Sequence, residues 1–367
     1  MATINFLTYG NLGLSGISAN CNVAQVQCIT STNTWSVISP HTAAVISNID
    51  TMCAAMDSSY YVGINSTIYK CNNDFILDTT WGTAGAAYIT SNIGSTYPYW
   101  PKIVANTFGY CCAIRDLDAA GSAVNCWAFN SAGISTWAKS TITTQYSPIT
   151  IVALPNGNFV LGGSVGTVVG LREYNYTNGT YVRNYPAISM AYHYGLCVNT
   201  VGEIFTGGYD TSGAGVTRIY KFLPTITAAS WSFTTAYNWV MAAAANSAYV
   251  FVNDYPSDYI LNKSTGTVVA EAAIGGGYSF HFIALATVPN IWITHDVSGL
   301  KTSIIDETGT TLAQAANAVL SSLGWKGLIG YSATGGAGFN VQAPRVTTYQ
   351  RKLLAFANDE VWAEVTA

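Results

Sequence analysis

Four histidines, His41, His193, His281 and His295, have side chains suited to acid–base or metal chemistry. No two of them form an HxH or HxxxH pair, so no preorganised metal site is expected and no cofactor is implied. His193 and His281 instead share a context, Tyr192-His193-Tyr194 and Phe280-His281-Phe282, each ahead of an apolar strand. Such residues could serve one common opening, but a polar side chain wedged between aromatics is the plainer reading, since most unpaired histidines are structural.

A glycoside hydrolase needs two carboxyl groups within about 5 to 9.5 Å of each other. Asp306-Glu307 and Asp359-Glu360 fall in expected outer turns, where solvated charge explains them. Asp116 and Asp118 lie in a loop between two strands and are better placed, yet they also suit turn chemistry. The six arginines are isolated, which leaves no cluster to clamp an acidic substrate. No nucleophile elbow, P-loop or dinucleotide fingerprint precedes a helix, and Gly275-Gly276-Gly277 leads into a strand. No catalytic residue is assigned on this basis, and the chain reads as non-enzymatic.

Eight cysteines, at 21, 28, 53, 71, 111, 112, 126 and 197, lie mostly in apolar segments without CxxC or Cys/His spacing. They are expected to be buried thiols. The adjacent Cys111 and Cys112 would point to opposite faces of a strand, which disfavours a bond between them.

The aromatic residues offer the most to a ligand. Tyr97, Tyr99, Trp100, Tyr146, Tyr192, Tyr194, Tyr237, Trp239, Tyr278 and Trp325 recur in the segments that lead into successive apolar strands. With His193 and His281 they would gather on one face, where Tyr and Trp can stack on sugars or grip a partner at low entropic cost. Packing between neighbouring units is the plainer role for them.

The spacing of these residues sets the architecture. Tyr97, Tyr146, Tyr192, Tyr237, Tyr278 and Trp325 follow one another at 41 to 49 residues. A second, independent marker keeps the same period. Three polar turns, starting at Asn175, Asn262 and Asp306, each contain a Gly and lead to Tyr181, Val268 and Leu312. Glycine supplies the positive φ of such a turn, and Asn or Asp bonds its own backbone. Trp35, Trp81, Trp137, Trp231 and Trp362 occupy the same position elsewhere, giving a mean step of about 47 residues.

Each period holds about four short strands, as in 149–153, 158–163, 168–174 and 181–185, rich in Val, Ile, Tyr and Thr. Helical periodicity is confined to 311–323, an Ala- and Leu-rich run that ends at Gly324. Four antiparallel strands per repeat predict an all-β chain, a β-propeller forming one domain over residues 1–367. About eight repeats of roughly 46 residues favour eight blades, with seven open if 324–350 is an insertion. The first and last units are expected to meet and close the ring, burying their strand edges.

The turn and its following aromatic or branched residue resemble those of β-propellers of the kelch or quinoprotein-like type. The WD40 dipeptides are missing, and Asn130 to Trp137 lacks the Asp and Gly spacing of a sialidase aspartate-box.

Only 9% of residues are charged and half are apolar, so the chain can bury a large core and disorder is excluded. A net charge of -4 with scattered Lys and Arg leaves no stripe for phosphates, and nucleic acid is not an expected partner. No apolar run approaches the roughly 20 residues of a spanning helix, so membrane insertion is not expected either. Residues 1–6 show neither a basic nor an apolar leader region, which points to synthesis and first folding in a cytoplasm.

The abundance of Ala, Thr, Ser, Gly, Asn and Tyr resembles bacteriophage tail, fibre and decoration proteins. That resemblance implies a structural or attachment component of a virion, with other virion proteins, further copies of itself and host-surface glycans as partners. A lectin-like propeller, or a propeller glycoside hydrolase or lyase, is the alternative.

Overall fold

The computed structural model describes residues 23–29, 34–41, 51–54, 60–64, 66–71, 77–89, 103–115, 123–143, 146–165, 168–186, 188–189, 192–199, 201–210, 216–225, 228–235, 240–245, 248–254, 257–272, 279–285, 291–296, 301–316, 327–330, 350–357, 360–361 and 364–366. All regular elements among them are strands, and every pairing is antiparallel. Strands β1 (Val23–Ile29) and β2 (Thr34–His41) make a hairpin.

The next four, β3 (Thr51–Ala54), β4 (Tyr60–Ile64), β5 (Thr67–Cys71) and β6 (Ala86–Tyr88), form a sheet in chain order. The pattern repeats in β7 (Ile103–Ala105), β8 (Cys111–Arg115), β9 (Ala123–Phe129) and β10 (Ser135–Thr143). A third sheet holds β11 (Tyr146–Ala153), β12 (Phe159–Val165), β13 (Val168–Tyr174) and β14 (Tyr181–Asn184), with β15 (Ile188–Ser189) added to β13.

A fourth comprises β16 (Tyr192–Val198), β17 (Ile204–Asp210), β18 (Val216–Phe222) and β19 (Trp231–Thr235). The fifth has β20 (Val240–Ala245), β21 (Tyr249–Asp254), β22 (Ser257–Asn262) and β23 (Val268–Ala272). The sixth has β24 (Ser279–Leu285), β25 (Ile291–Asp296), β26 (Lys301–Asp306) and β27 (Thr311–Ala316). In the last, β28 (Gly327–Gly330), β29 (Gln350–Ala357) and β30 (Glu360–Val361) pair in order, and β31 (Glu364–Thr366) pairs with β29.

First strands of consecutive sheets are neighbours throughout, from β3 beside β7 to β24 beside β28, and β28 lies beside β3. The β1–β2 hairpin lies against β27 and touches β30.

This stacking explains the composition. A sheet flanked on both sides buries both faces, so its strands read as continuous apolar runs rather than alternating ones. Ile103 and Ala105 pack toward Tyr61, Ile68 and Trp81 of the preceding sheet, whereas Val104 between them packs toward Ile151 and Phe159 of the following one. Cys111 and Cys112 divide in the same way, Cys111 with Cys53 and Cys112 with Cys126, so the adjacent pair does face opposite sides. The five cysteines whose side chains are described are all buried and unbonded.

The turns behave as their chemistry requires. Asn175, Asn262 and Asp306 each accept backbone N–H bonds two or more residues on, at 2.9 to 3.1 Å, and Gly179, Gly266 and Gly309 sit at φ of 65°, 72° and 82°. All three connect the third strand of a sheet to its fourth. The helix expected over 311–323 is corrected: Thr311–Ala316 is β27, the fourth strand of its sheet. Pairing with β26 offers this run a full hydrogen-bond ladder, and that outweighs the modest helix preference of Ala and Leu. The remainder, 317–323, lies outside the described residues.

Three tryptophans of the repeat, Trp81, Trp137 and Trp231, join one sheet to the next. Trp137 lies in β10 against Gly179 of the following sheet, and its indole N–H donates to the Tyr176 carbonyl at 2.9 Å. Trp231 opens β19, lies against Gly266 and donates to the Lys263 carbonyl at 3.0 Å. Tyr176 and Lys263 are equivalent, each directly following the Asn that starts its turn.

Trp81 meets Gly133 in the same manner, yet its buried indole nitrogen has no acceptor. The reason is a turn shorter by one residue. Gly133 closes onto Asn130, three residues back, whereas Gly179 and Gly266 close onto residues four back. In the short turn the Ala132 carbonyl is taken by the Gly82 N–H at 2.8 Å.

Trp137→Phe is expected to cost about 1 to 2 kcal/mol more than Trp81→Phe, since only the former breaks a made bond. Urea midpoints of the two variants check this, and equal losses would refute it.

Candidate functional site

Antiparallel order gives each sheet two ends. At one, first and third strands begin and second and fourth strands finish; this is the strand-start face. At the other lie the turns joining first to second and third to fourth strands; this is the turn face.

Several of the aromatic and histidine candidates belong to the strand-start face. Tyr146 opens β11, Tyr192 opens β16 with His193 and Tyr194 following, and His281 is the third residue of β24. The sequence suggested that these residues precede the first strands; the structure instead includes them in the strands, where all but Tyr194, which falls at a bulge, find a cross-strand partner. Tyr146 pairs with Ser164, Tyr192 with Tyr209, His193 with Gly208 and His281 with His295. Tyr97, Tyr99, Trp100, Tyr237, Trp239, Tyr278 and Trp325 lie outside the described residues, as do Asp116, Asp118, Asp359 and Gly275–Gly277.

At this end the register slips in four consecutive first strands. The irregularities fall between Tyr146 and Thr150, His193 and Gly195, Val240 and Ala242, and Ser279 and His281. A bulge bends a strand and re-aims its residues, and bulges concentrate at the rims of barrels and next to functional sites. The same end carries a feature that sequence reasoning missed: three successive second strands finish in aspartate, at Asp210, Asp254 and Asp296. The recurrence of Asp-x-Ser-Gly at 210–213 and 296–299 was the available signal. Val240 pairs with Asp254 and Ser279 with Asp296, so these two aspartates stand across from the bulged start of a first strand.

The turn face holds charge of a different kind. Glu173 in β13 accepts from Asn158 Nδ2 at 2.6 Å on one oxygen, and from Arg183 Nε at 2.7 Å and the Tyr185 hydroxyl at 3.2 Å on the other. Burial raises the Glu173 carboxyl, but these donors and the Arg183 charge outweigh it and hold the group below the usual range. Tyr185, buried beside that carboxylate, is pushed up to about 12.

Glu203 lies between Lys221 Nζ at 2.7 Å and Lys263 Nζ at 3.1 Å, and Asn199 donates to it as well. Lys263 belongs to the next sheet, and Lys221 also donates to the Lys263 carbonyl at 3.0 Å. Burial raises Glu203, and the bonds from Lys221, Asn199 and Lys263 outweigh it, so its carboxyl too is held low. A general acid needs a raised carboxyl pKa. Glu173 and Glu203 are driven the other way, and each is an anion that ties strands together. Asp306 also ties its own turn, its Oδ1 accepting the N–H groups of Thr308 and Thr310.

No family model matches the chain, and no curated protein is similar to it in sequence. Solved structures are similar in shape. The C-terminal WD40 domain of Sif2 matches with a TM-score of 0.60 at 10% identity, over 100% of this chain and 97% of that one. The Dos1 propeller matches with a TM-score of 0.57 at 10% identity, over 100% and 95%. BamB from Moraxella catarrhalis matches with a TM-score of 0.53 at 12% identity, over 99% and 93%. Together with the stack of four-stranded antiparallel sheets, these likenesses establish the chain as an all-β repeat protein with the β-propeller fold.

Proposed function

We propose that this propeller is a non-enzymatic structural and attachment component of a virus particle of bacteriophage type, docking on other virion proteins and on copies of itself. The observation that carries the reading is the character of the outer strands. Tyr181 and Val182 in β14, and Val268 and Val269 in β23, are exposed apolar pairs on fourth strands, in a chain with 9% charged residues. Such strands favour docking, because little charge repulsion opposes it. The chain composition described above supports the virion setting.

The test is purification of the protein in its native context, with mass spectrometry of what accompanies it. Co-migration with virion proteins at fixed stoichiometry is the expected result. A protein that runs alone would overturn the reading.

Host-surface glycans are the proposed target of the strand-start face. The support is positional: Tyr146, Tyr192 and Tyr194 lie at the starts of first strands, and Asp210, Asp254 and Asp296 end second strands at the same end of successive sheets, and these residue types stack on sugars and accept from their hydroxyls. Equivalent sites in successive sheets predict that clustered glycans bind about a hundredfold more tightly than the single sugar, the lower end of what multivalency delivers. A glycan array of both forms checks this; equal binding would dismiss it.

A further inference from the structure

Among the described cysteines, one pair is in thiol contact: Cys112 Sγ and Cys126 Sγ are 3.4 Å apart, fully buried. Cys112 lies in β8 and Cys126 in β9, on adjacent antiparallel strands. Cys112 stands opposite Ala128, and Cys126 opposite Ile114, so the two thiols are diagonal neighbours across the same ladder. Their surroundings are apolar: Val104, Ile114, Ala128, Trp137 and Ile151 share the cluster. Cys53 and Cys111 occupy the core on the other face of β8.

We propose that Cys112 and Cys126 are a redox-convertible pair, which peroxide-class oxidants turn into a cross-strand disulfide within this sheet. A disulfide needs sulfurs about 2.05 Å apart and Cα atoms within about 7 Å, so closure requires the thiols to approach by about 1.4 Å and, from diagonal positions, the two strands to shift with them. The chemistry balances in two steps. One thiol takes an oxygen atom from hydrogen peroxide, giving a sulfenic acid and one water. The second thiol displaces that hydroxyl as water and forms the sulfur–sulfur bond. Two thiols are oxidised by two electrons, and one peroxide is reduced to two waters.

Burial raises the Cys112 thiol well above its ordinary range, the neighbouring Cys126 adding to the effect. Thiolate is therefore scarce, and conversion is slow in the closed protein compared with an exposed thiol. The inference stands on the geometry of these two strands and does not depend on the virion reading.

The experiment uses the full chain purified in reductant, freed of it, exposed to hydrogen peroxide, alkylated in denaturant and digested with trypsin. Cleavage after Lys102, Arg115 and Lys139 leaves Cys111 and Cys112 in the peptide 103–115 and Cys126 in 116–139. The expected result is an intact mass lower by about 2 Da, the two peptides joined, and reversal by dithiothreitol. Cys111→Ala retains the join, and Cys112→Ala abolishes it.

A join that survives Cys112→Ala, or one that involves Cys53, would overturn the proposal. So would the absence of joined peptides in wild-type protein held in peroxide many times longer than the chain in denaturant needs to oxidise. The wild-type measurement stands alone if either variant fails to fold.

Discussion

Gly133→Ala is expected to be among the most damaging single-methyl changes in the protein, costing roughly 3 kcal/mol through strain at positive φ and overpacking. Gly133 sits at φ 77°, where an L side chain is strained. A Cβ there would stand 2.4 Å from the Gly82 nitrogen and 2.6 Å from its Cα, with the Trp81 ring 2.9 Å away. Backbone cannot swing aside as a flexible side chain does, so the two sheets must separate. Gly179→Ala and Gly266→Ala follow the same logic against the rings of Trp137 and Trp231.

The control is Gly170→Ala in β13, where an added Cβ meets nothing within 4 Å. That change is expected to be neutral or to stabilise by about 0.5 kcal/mol, by restricting the unfolded chain. Urea midpoints decide it. If Gly133→Ala and Gly170→Ala behave alike, the close approach between sheets is wrong.

Removing the charge of Glu203 is the second large effect. Glu203→Gln leaves the buried ammonium of Lys221 facing an amide, with Lys263 beside it, and an uncompensated buried charge costs about 3 to 5 kcal/mol. The dependence on pH gives a sharper signature. The folded carboxyl titrates below its unfolded value near 4.5, so its contribution is fully present above that value and is lost as pH falls through the lower folded pKa. The stability gap between wild type and Glu203→Gln is therefore widest at neutral pH and closes in acid below about 4.5. A gap that is constant from neutral pH to pH 3 would mean that Glu203 acts by packing alone. Glu173→Gln is expected to show the same sign, because its carboxyl is also held low.

Strands whose ends are marked by turn chemistry could be read directly from the sequence. The span 168–174 matches β13 at both ends, because the Asn175 turn closes it. The repeat was legible because Gly and Trp recur at fixed places. What they do to each other was not, since Trp137 and Gly179 lie 42 residues apart in different repeats.

The Glu203 cluster was invisible for a related reason. Its three charged residues stand singly at 203, 221 and 263, and isolated charges in a sequence read as solvated. Thr311–Ala316 failed as a helix because local propensity is weaker than a strand partner already in place. Asp210, Asp254 and Asp296 went unnoticed among candidates chosen for aromatic character, although their period is that of the repeat.

The joint between sheets has a direction. Trp81 reaches forward to Gly133, Trp137 to Gly179 and Trp231 to Gly266, and the sheet β7–β10 carries both halves, the Gly133 socket for its predecessor and the Trp137 ring for its successor. Only a unit with both halves is set against its neighbours on each side by the same pair of parts, and copying β7–β10 in tandem would place its Trp137 ring against a second copy of the Gly133 socket. The short turn at Asn130 varies the joint: the Gly133 socket is present, and the Trp81 indole has no acceptor.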